Sequence, residues 1–161
     1  MGSCRCAMTE LENPDENPCF GCGPHHARGL RLTFAREGDV VRTTHVPKQD
    51  EIGWPGLLHT GLHFSILYEV SYWGALSLSG RVLTSFGPAT FEQLRLPRVG
   101  EVTTATARKA AEEPFTIEAV TTSPDGKPQA TLRTTWRPAS RARIEKSGLN
   151  LPSYLLDEME P

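Results

Sequence analysis

The sequence predicts an α+β domain in which an antiparallel sheet wraps one long central helix. Three observations lead there. The stretch from Leu57 to Leu78 is apolar at helical spacing, two strand-like runs precede it, and four follow it with no helix between them.

Residues 1–29 read as an irregular, cysteine-containing segment, with Asn13-Pro14-Asp15-Glu16-Asn17-Pro18 as loop chemistry. From Leu30 the pattern changes. Leu30, Leu32 and Phe34 alternate with Arg31 and Thr33 as in a half-buried strand. Glu37-Gly38-Asp39 turns the chain into Val40–Thr44, which predicts a β-hairpin. Gly53-Trp54-Pro55-Gly56 then breaks the chain before the helix, where Leu58, Leu62, Ile66, Leu67, Val70, Trp73 and Leu76 recur at helical intervals and Gly80 can end it. Between Gly53 and Gly80 the only formally charged side chain is Glu69. A helix so apolar on all sides belongs in a core. It is no membrane span, because His59, Thr60, His63, Ser65, Ser71 and Ser77 interrupt it.

Four strands are expected next, over about 82–96, 102–110, 115–122 and 129–137, with Pro97-Arg98-Val99-Gly100 and Pro124-Asp125-Gly126-Lys127 as turns. Short turns allow only an antiparallel meander. Residues 30–138 are therefore the folded domain, and the polar tail over 139–161, weakly apolar at Tyr154-Leu155-Leu156, is expected on the surface.

The chain has 161 residues, with 17 basic and 19 acidic side chains and a net charge of −2. Hydrophobic residues make up 38% and charged ones 22%, an ordinary globular composition for a single domain. Near-zero charge with scattered Lys and Arg gives no case for nucleic acid or an anionic membrane surface. The first eight residues lack the apolar core of a secretory signal. Cys4, Cys6, Cys19 and Cys22 all fall in the first 22 residues, so they cannot staple the domain. A reducing cytoplasm is the expected compartment.

Three local stretches carry a family resemblance. Cys19-Phe20-Gly21-Cys22-Gly23-Pro24 followed by Arg28-Gly29-Leu30-Arg31-Leu32 resembles the opening of one thioesterase subgroup. Gly53-Trp54-Pro55-Gly56-Leu57-Leu58-His59-Thr60-Gly61 resembles the Gly-x-Pro-Gly-x-x-His-Gly-Gly stretch that leads into the helix of the hotdog fold. Leu94–Glu101 resembles the end of that fold's long third strand and its Pro-x-x-Gly turn. In order and register over residues 19–137, they resemble the hotdog-fold acyl-CoA thioesterases of the phenylacetic-acid-degradation and hydroxybenzoyl-CoA types. The resemblance implies a homodimer with sheets joined edge to edge, or a pair of such dimers, with acyl-CoA sites between the two helices.

It also implies site residues. The His-Gly-Gly turn, here His59-Thr60-Gly61, places the backbone N–H groups of Thr60 and Gly61 as an oxyanion hole at a helix start. The family's Asp, nine residues after the motif His, is Tyr68 here, followed by Glu69. One residue along a helix turns the side chain by about 100°, so Glu69 does not simply replace that Asp. As the single charge of a buried helix, Glu69 is nonetheless the expected general base or nucleophile, and pairing with an Arg or lying at the dimer seam is the bland alternative. His59, His63 and Tyr68 are the expected substrate contacts, although two helical histidines one turn apart and a helical tyrosine more often serve packing. Cys19-x-x-Cys22, with His25, His26, Cys4 and Cys6 nearby, has permissive zinc spacing but only half of a four-ligand pattern. No metal is assigned to it and no cofactor is expected. The expected function is hydrolysis of an acyl-CoA thioester. The alternative is a hotdog protein that binds acyl-CoA without turnover, in keeping with Tyr68 at the Asp position.

Overall fold

The computed structural model describes residues 7–148, Leu156, Asp157 and Met159. Cys4, Cys6, Tyr154 and Leu155 lie outside the described residues. In chain order the elements are β1 (Thr9–Glu10), β2 (Ala35–Glu37), β3 (Val40–His45), a 3-10 turn (Gln49–Glu51), β4 (Ile52–Trp54), β5 (Leu57–Leu58) and the helix α1 (Thr60–Ser79). Then come β6 (Leu83–Ser85), β7 (Thr90–Gln93), β8 (Thr103–Ala111), β9 (Thr116–Thr122), β10 (Pro128–Pro138) and a short helix α2 (Arg141–Ser147).

The main sheet runs β1-β2-β3-β8-β9-β10, antiparallel throughout. Its last edge is shared, because β7 pairs with Ala130–Arg133 of β10 and β6 with Trp136–Pro138. Along β8 the inward positions Thr103, Ala105 and Ala107 alternate with more exposed Thr104, Thr106 and Arg108. The helix lies on that inward face, burying Ile66, Leu67, Val70, Trp73 and Ala75 against Val41, Ile117, Leu132 and Trp136. Phe34 stacks on Trp73 with ring centroids 5.0 Å apart. The buried hydroxyl of Ser71 pairs with Thr134, which also accepts from the Trp136 indole.

Alanines set the distance between the layers. Ala105, Ala107, Ala119 and Ala130 line the sheet's inner face, and Gly74 of the helix sits over Ala107. A Cβ at Gly74 would lie 3.0 Å from the Ala107 Cβ.

Several elements differ from expectation. The helix starts at Thr60, because Leu57-Leu58 pair with Ile52–Trp54 and the Leu58 N–H donates to the Pro97 carbonyl at 2.9 Å. It ends at Gly80, left-handed at φ 67°. Leu30, Leu32 and Phe34 are buried in the alternation expected of a strand, but only Ala35–Glu37 pairs with β3. The N–H groups of Leu30 and Leu32 go instead to the carbonyls of Phe20 and Gly21. The single strand expected over 82–96 is split between β6 and β7 at Phe86–Ala89, where Gly87 takes φ 76° beside Pro88. β1 falls in the segment read as irregular, and α2, which buries no residue, falls in the tail.

Gly74→Leu should therefore destabilise the fold by about 1–3 kcal/mol, since a side chain there must push the helix off Ala107. Urea unfolding measures it, and a variant as stable as the parent would refute this packing.

Candidate active site

Glu69 sits in the middle of α1 on the side turned away from the sheet, where the N-terminal segment crosses. Its Oε1 accepts from the Cys19 thiol at 3.4 Å. Oε2 is buried with no hydrogen-bond partner. Together with Cys22, these groups place one donor atom each within 4.8 Å of one another. They border a cavity of ≈ 400 Å³ whose walls include Tyr72, Trp73, Leu76 and Asn17.

The loop that brings the cysteines there is built by side-chain amides. Asn17 Oδ1 accepts from the Cys19 N–H at 2.9 Å, and Asn17 Nδ2 donates to Asn13 Oδ1 at 2.7 Å and to Cys22 Sγ at 3.5 Å. Asn13 Nδ2 donates to the Cys22 carbonyl at 2.6 Å. Gly21, Gly23 and Gly29 each leave no room for a Cβ. A Cβ at Gly21 would fall 2.4 Å from Glu69 Cδ, and one at Gly23 would fall 2.5 Å from the Asn17 carbonyl. A Cβ at Gly21 would therefore push the Glu69 carboxyl out of its place.

Electrostatics follow from the crowding. Burial raises the Glu69 carboxyl to about 7, opposed by the Cys22 thiol and reinforced by the neighbouring Cys19 sulfur. Cys19 is lowered to about 5, foremost by the Cys22 thiol and then by the main-chain N–H groups of Cys22 and Gly21 and by Glu69. Cys22 is raised by its thiol partner, by burial and by the Glu69 charge. A carboxyl balanced near neutrality can take a proton from water.

The other expected site residues lie elsewhere. His59 is the N-cap of α1, and its Nδ1 accepts from the Gly61 N–H at 3.0 Å, so one of the two expected oxyanion donors is already engaged. Thr60 and Gly61 are exposed at the helix start, nine and eight positions before Glu69. At 1.5 Å per residue that is about 12–13.5 Å along the axis. Tyr68 turns towards β6, donating to Ser85 Oγ at 2.8 Å and stacking on Phe64. His63 corrects the expectation of a substrate contact. It is 0% exposed, with Nε2 2.7 Å from Thr121 Oγ1 and Nδ1 beside the Gln93 amide, so it is a core residue between helix and sheet.

Sequence reasoning missed Asn13, Asn17 and Trp73 as builders of the site and missed the contact of Cys19 and Cys22 with Glu69. It also missed the buried pair His45–Glu51, 2.7 Å apart, which braces the turn whose Glu51 carbonyl accepts from the His59 N–H. A larger hollow of ≈ 670 Å³ lies on the outer face of the sheet and is lined by Arg108, Glu118 and Arg133, which pair with one another.

The sequence matches no family profile and no curated protein sequence. The architecture does match solved structures. A thioesterase superfamily protein aligns at 19% identity with a TM-score of 0.65, over 72% of this chain and 58% of the other, so this chain spans a little over half of that relative. The PaaI protein from the phenylacetic acid degradation operon of E. coli aligns at 17% identity and TM-score 0.63, over 71% and 83%. The fold is the hotdog. A Streptococcus mutans protein bound to acetyl-CoA shares it at 16% identity and TM-score 0.60, over 70% and 92%. At these identities the likeness concerns the fold, in which α1 is the central helix of the hotdog.

Burial of His63 inside the hotdog predicts a pH effect. Desolvation lowers it from 6.5 to about 4, opposed by the hydrogen bond to Gln93. Between those values the unfolded chain binds a proton at His63 that the folded chain does not, so the His63 contribution to stability falls as pH drops from 6.5 towards 4, by an amount on the order of 3 kcal/mol. The raised Glu69 carboxyl acts in the opposite sense over the same range, so the His63 share is read as a difference. Urea unfolding of parent and His63→Gln at pH 7 and pH 4.5 should show the variant losing less stability, or gaining more, than the parent as pH falls. Equal slopes for parent and variant would sink the assignment.

Proposed function

We propose that this hotdog protein hydrolyses an acyl-CoA-like thioester, with Glu69 as the base. The observation that carries the reading is the Glu69 carboxylate at the floor of the ≈ 400 Å³ cavity with one oxygen unpartnered. Solved proteins of this fold described as bound to CoA and to acetyl-CoA support the ligand class.

The helix start supplies the second requirement, donors for the oxyanion. Both groups must lie about 3 Å from one carbonyl carbon. Thr60 and Glu69 of one chain, about 13.5 Å apart along the same helix, cannot do so. Two chains can. Gly61, Ser65, Glu69, Tyr72 and Leu76 form one stripe at helical spacing, and it is the less buried side of α1. If two such helices run antiparallel about a two-fold axis near Phe64 and Ser65, Thr60 of each comes level with Glu69 of the other. The site is then a homodimer's, with Glu69 from one protomer and the Thr60 N–H from its partner. Water attacks the thioester carbonyl as Glu69 takes its proton, the oxyanion rests on the N–H, and collapse expels the CoA thiol, which recovers the proton. Tyr68, packed against Ser85, takes no part. Binding without turnover is the second reading, favoured by the Gly61 N–H already given to His59.

A complementation experiment tests this. On a panel of acyl-CoA esters the parent should hydrolyse at least one. Glu69→Gln should lose about two or more decades of kcat with binding intact. Thr60→Pro removes the backbone N–H without breaking the helix, because Pro suits the first helical position and His59 before it is extended at ψ 133°. It should lose about 10²-fold or more. Randomly reassociated, the two inactive variants should recover about a quarter of parental activity, half of the dimers each holding one intact site. Recovery of nothing would refute the shared site. Binding of CoA esters with no hydrolysis by the parent would favour the second reading.

A further inference from the structure

Cys19, Cys22 and Glu69 come from places 50 residues apart in sequence, yet their donor atoms converge to within 4.8 Å. A tetrahedral zinc ion with two thiolates at about 2.3 Å and one carboxylate oxygen at about 2.0 Å sets S···S near 3.8 Å and S···O near 3.5 Å. Cys19 Sγ and Glu69 Oε1 are 3.4 Å apart, already at that edge length. The remaining separations, each within 4.8 Å, would have to close by at most about 1.0 Å for S···S and about 1.3 Å for S···O.

A further feature points to a ligand. Glu69 Oε2 is buried and unpartnered, although a carboxylate oxygen out of water costs stability unless something meets it. The buried indole N–H of Trp73 lies beside Cys22, where a donor favours the thiolate over the thiol. The surroundings already resemble the outer shell of a metal site. The main-chain N–H groups of Gly21 and Cys22 reach Cys19 Sγ, and Asn17 Nδ2 reaches Cys22 Sγ at 3.5 Å. Both cysteines are free thiols.

We propose that Cys19, Cys22 and Glu69 form a zinc-binding site whose fourth position opens onto the cavity between the N-terminal segment and the central helix. Two sulfurs and one carboxylate oxygen select a soft divalent ion over magnesium or calcium. A Cβ at Gly21 would displace the Glu69 carboxyl, so the glycine between the cysteines is part of the site. Binding stands independently of the hydrolysis proposed above. A carboxylate that holds a metal cannot also take a proton from water, so metal-loaded and metal-free protein are distinct states.

Titration of the reduced full chain with Co²⁺ tests the site without an activity assay. One equivalent should bring in a thiolate-to-cobalt charge-transfer band and the visible bands of tetrahedral cobalt, both removed by Zn²⁺. Cys22→Ser should weaken the band and the affinity, and Glu69→Gln, which preserves volume, should lower Zn²⁺ affinity about tenfold or more. Cys4→Ser with Cys6→Ser should change neither. The site is refuted if no thiolate band forms at equimolar metal. It is equally refuted if the band survives Cys19→Ser with Cys22→Ser, or if Glu69→Gln binds zinc as tightly as the parent.

Discussion

A 20-residue helix carrying one charged side chain has no face to give to water, and the rest of the molecule answers to that. The sheet covers one side, and it comes close because its inner face is built of alanines opposite Gly74. Close approach leaves little room for large side chains from both layers, so the bulk comes from Ile66, Leu67, Val70 and Trp73 of the helix and Leu132 and Trp136 of the sheet. The N-terminal segment covers part of the opposite side, running from Leu11 past Cys22 to Leu32.

Covering the helix there means covering Glu69. An isolated carboxylate in such a place would cost several kcal/mol as an ion, and the protein answers with chemistry that tolerates a shared proton. Cys19 donates to one oxygen, and the loop around it is fixed by Asn13, Asn17 and two glycines that admit no side chain. An amide pair and two obligatory glycines hold three reactive groups together, and one carboxylate oxygen is still left unmet.

Much of the frame was legible in the sequence because it rests on local signals. Helical spacing over 58–76, Gly80 as the stop, and the Pro124–Lys127 turn each follow from residues a few positions apart. The site was legible only in part. Glu69 stood out as a lone charge, but nothing in spacing reveals that a Cys-x-x-Cys loop 50 residues earlier folds onto it. His63 was open to two readings. Two helical histidines one turn apart allow a substrate contact and more often serve packing, and Thr121 from β9 and Gln93 from β7 hold His63 between helix and sheet. The break between β6 and β7 escaped notice because Gly87 and Pro88 interrupt a run otherwise rich in strand formers.

The helix thus carries two polar features at different heights, a capped start with backbone donors and a carboxylate more than two turns later. Within one protomer neither can help the other. The stripe of Gly61, Ser65, Glu69, Tyr72 and Leu76 is covered unevenly, with the N-terminal segment meeting its later half while Gly61 stays exposed. An antiparallel neighbour would meet the earlier half and bring its own helix start level with Glu69. The same step that removes apolar surface from water would then assemble the donor and the base. A covering demand imposed by composition and a catalytic demand imposed by chemistry would be met by a single two-fold contact.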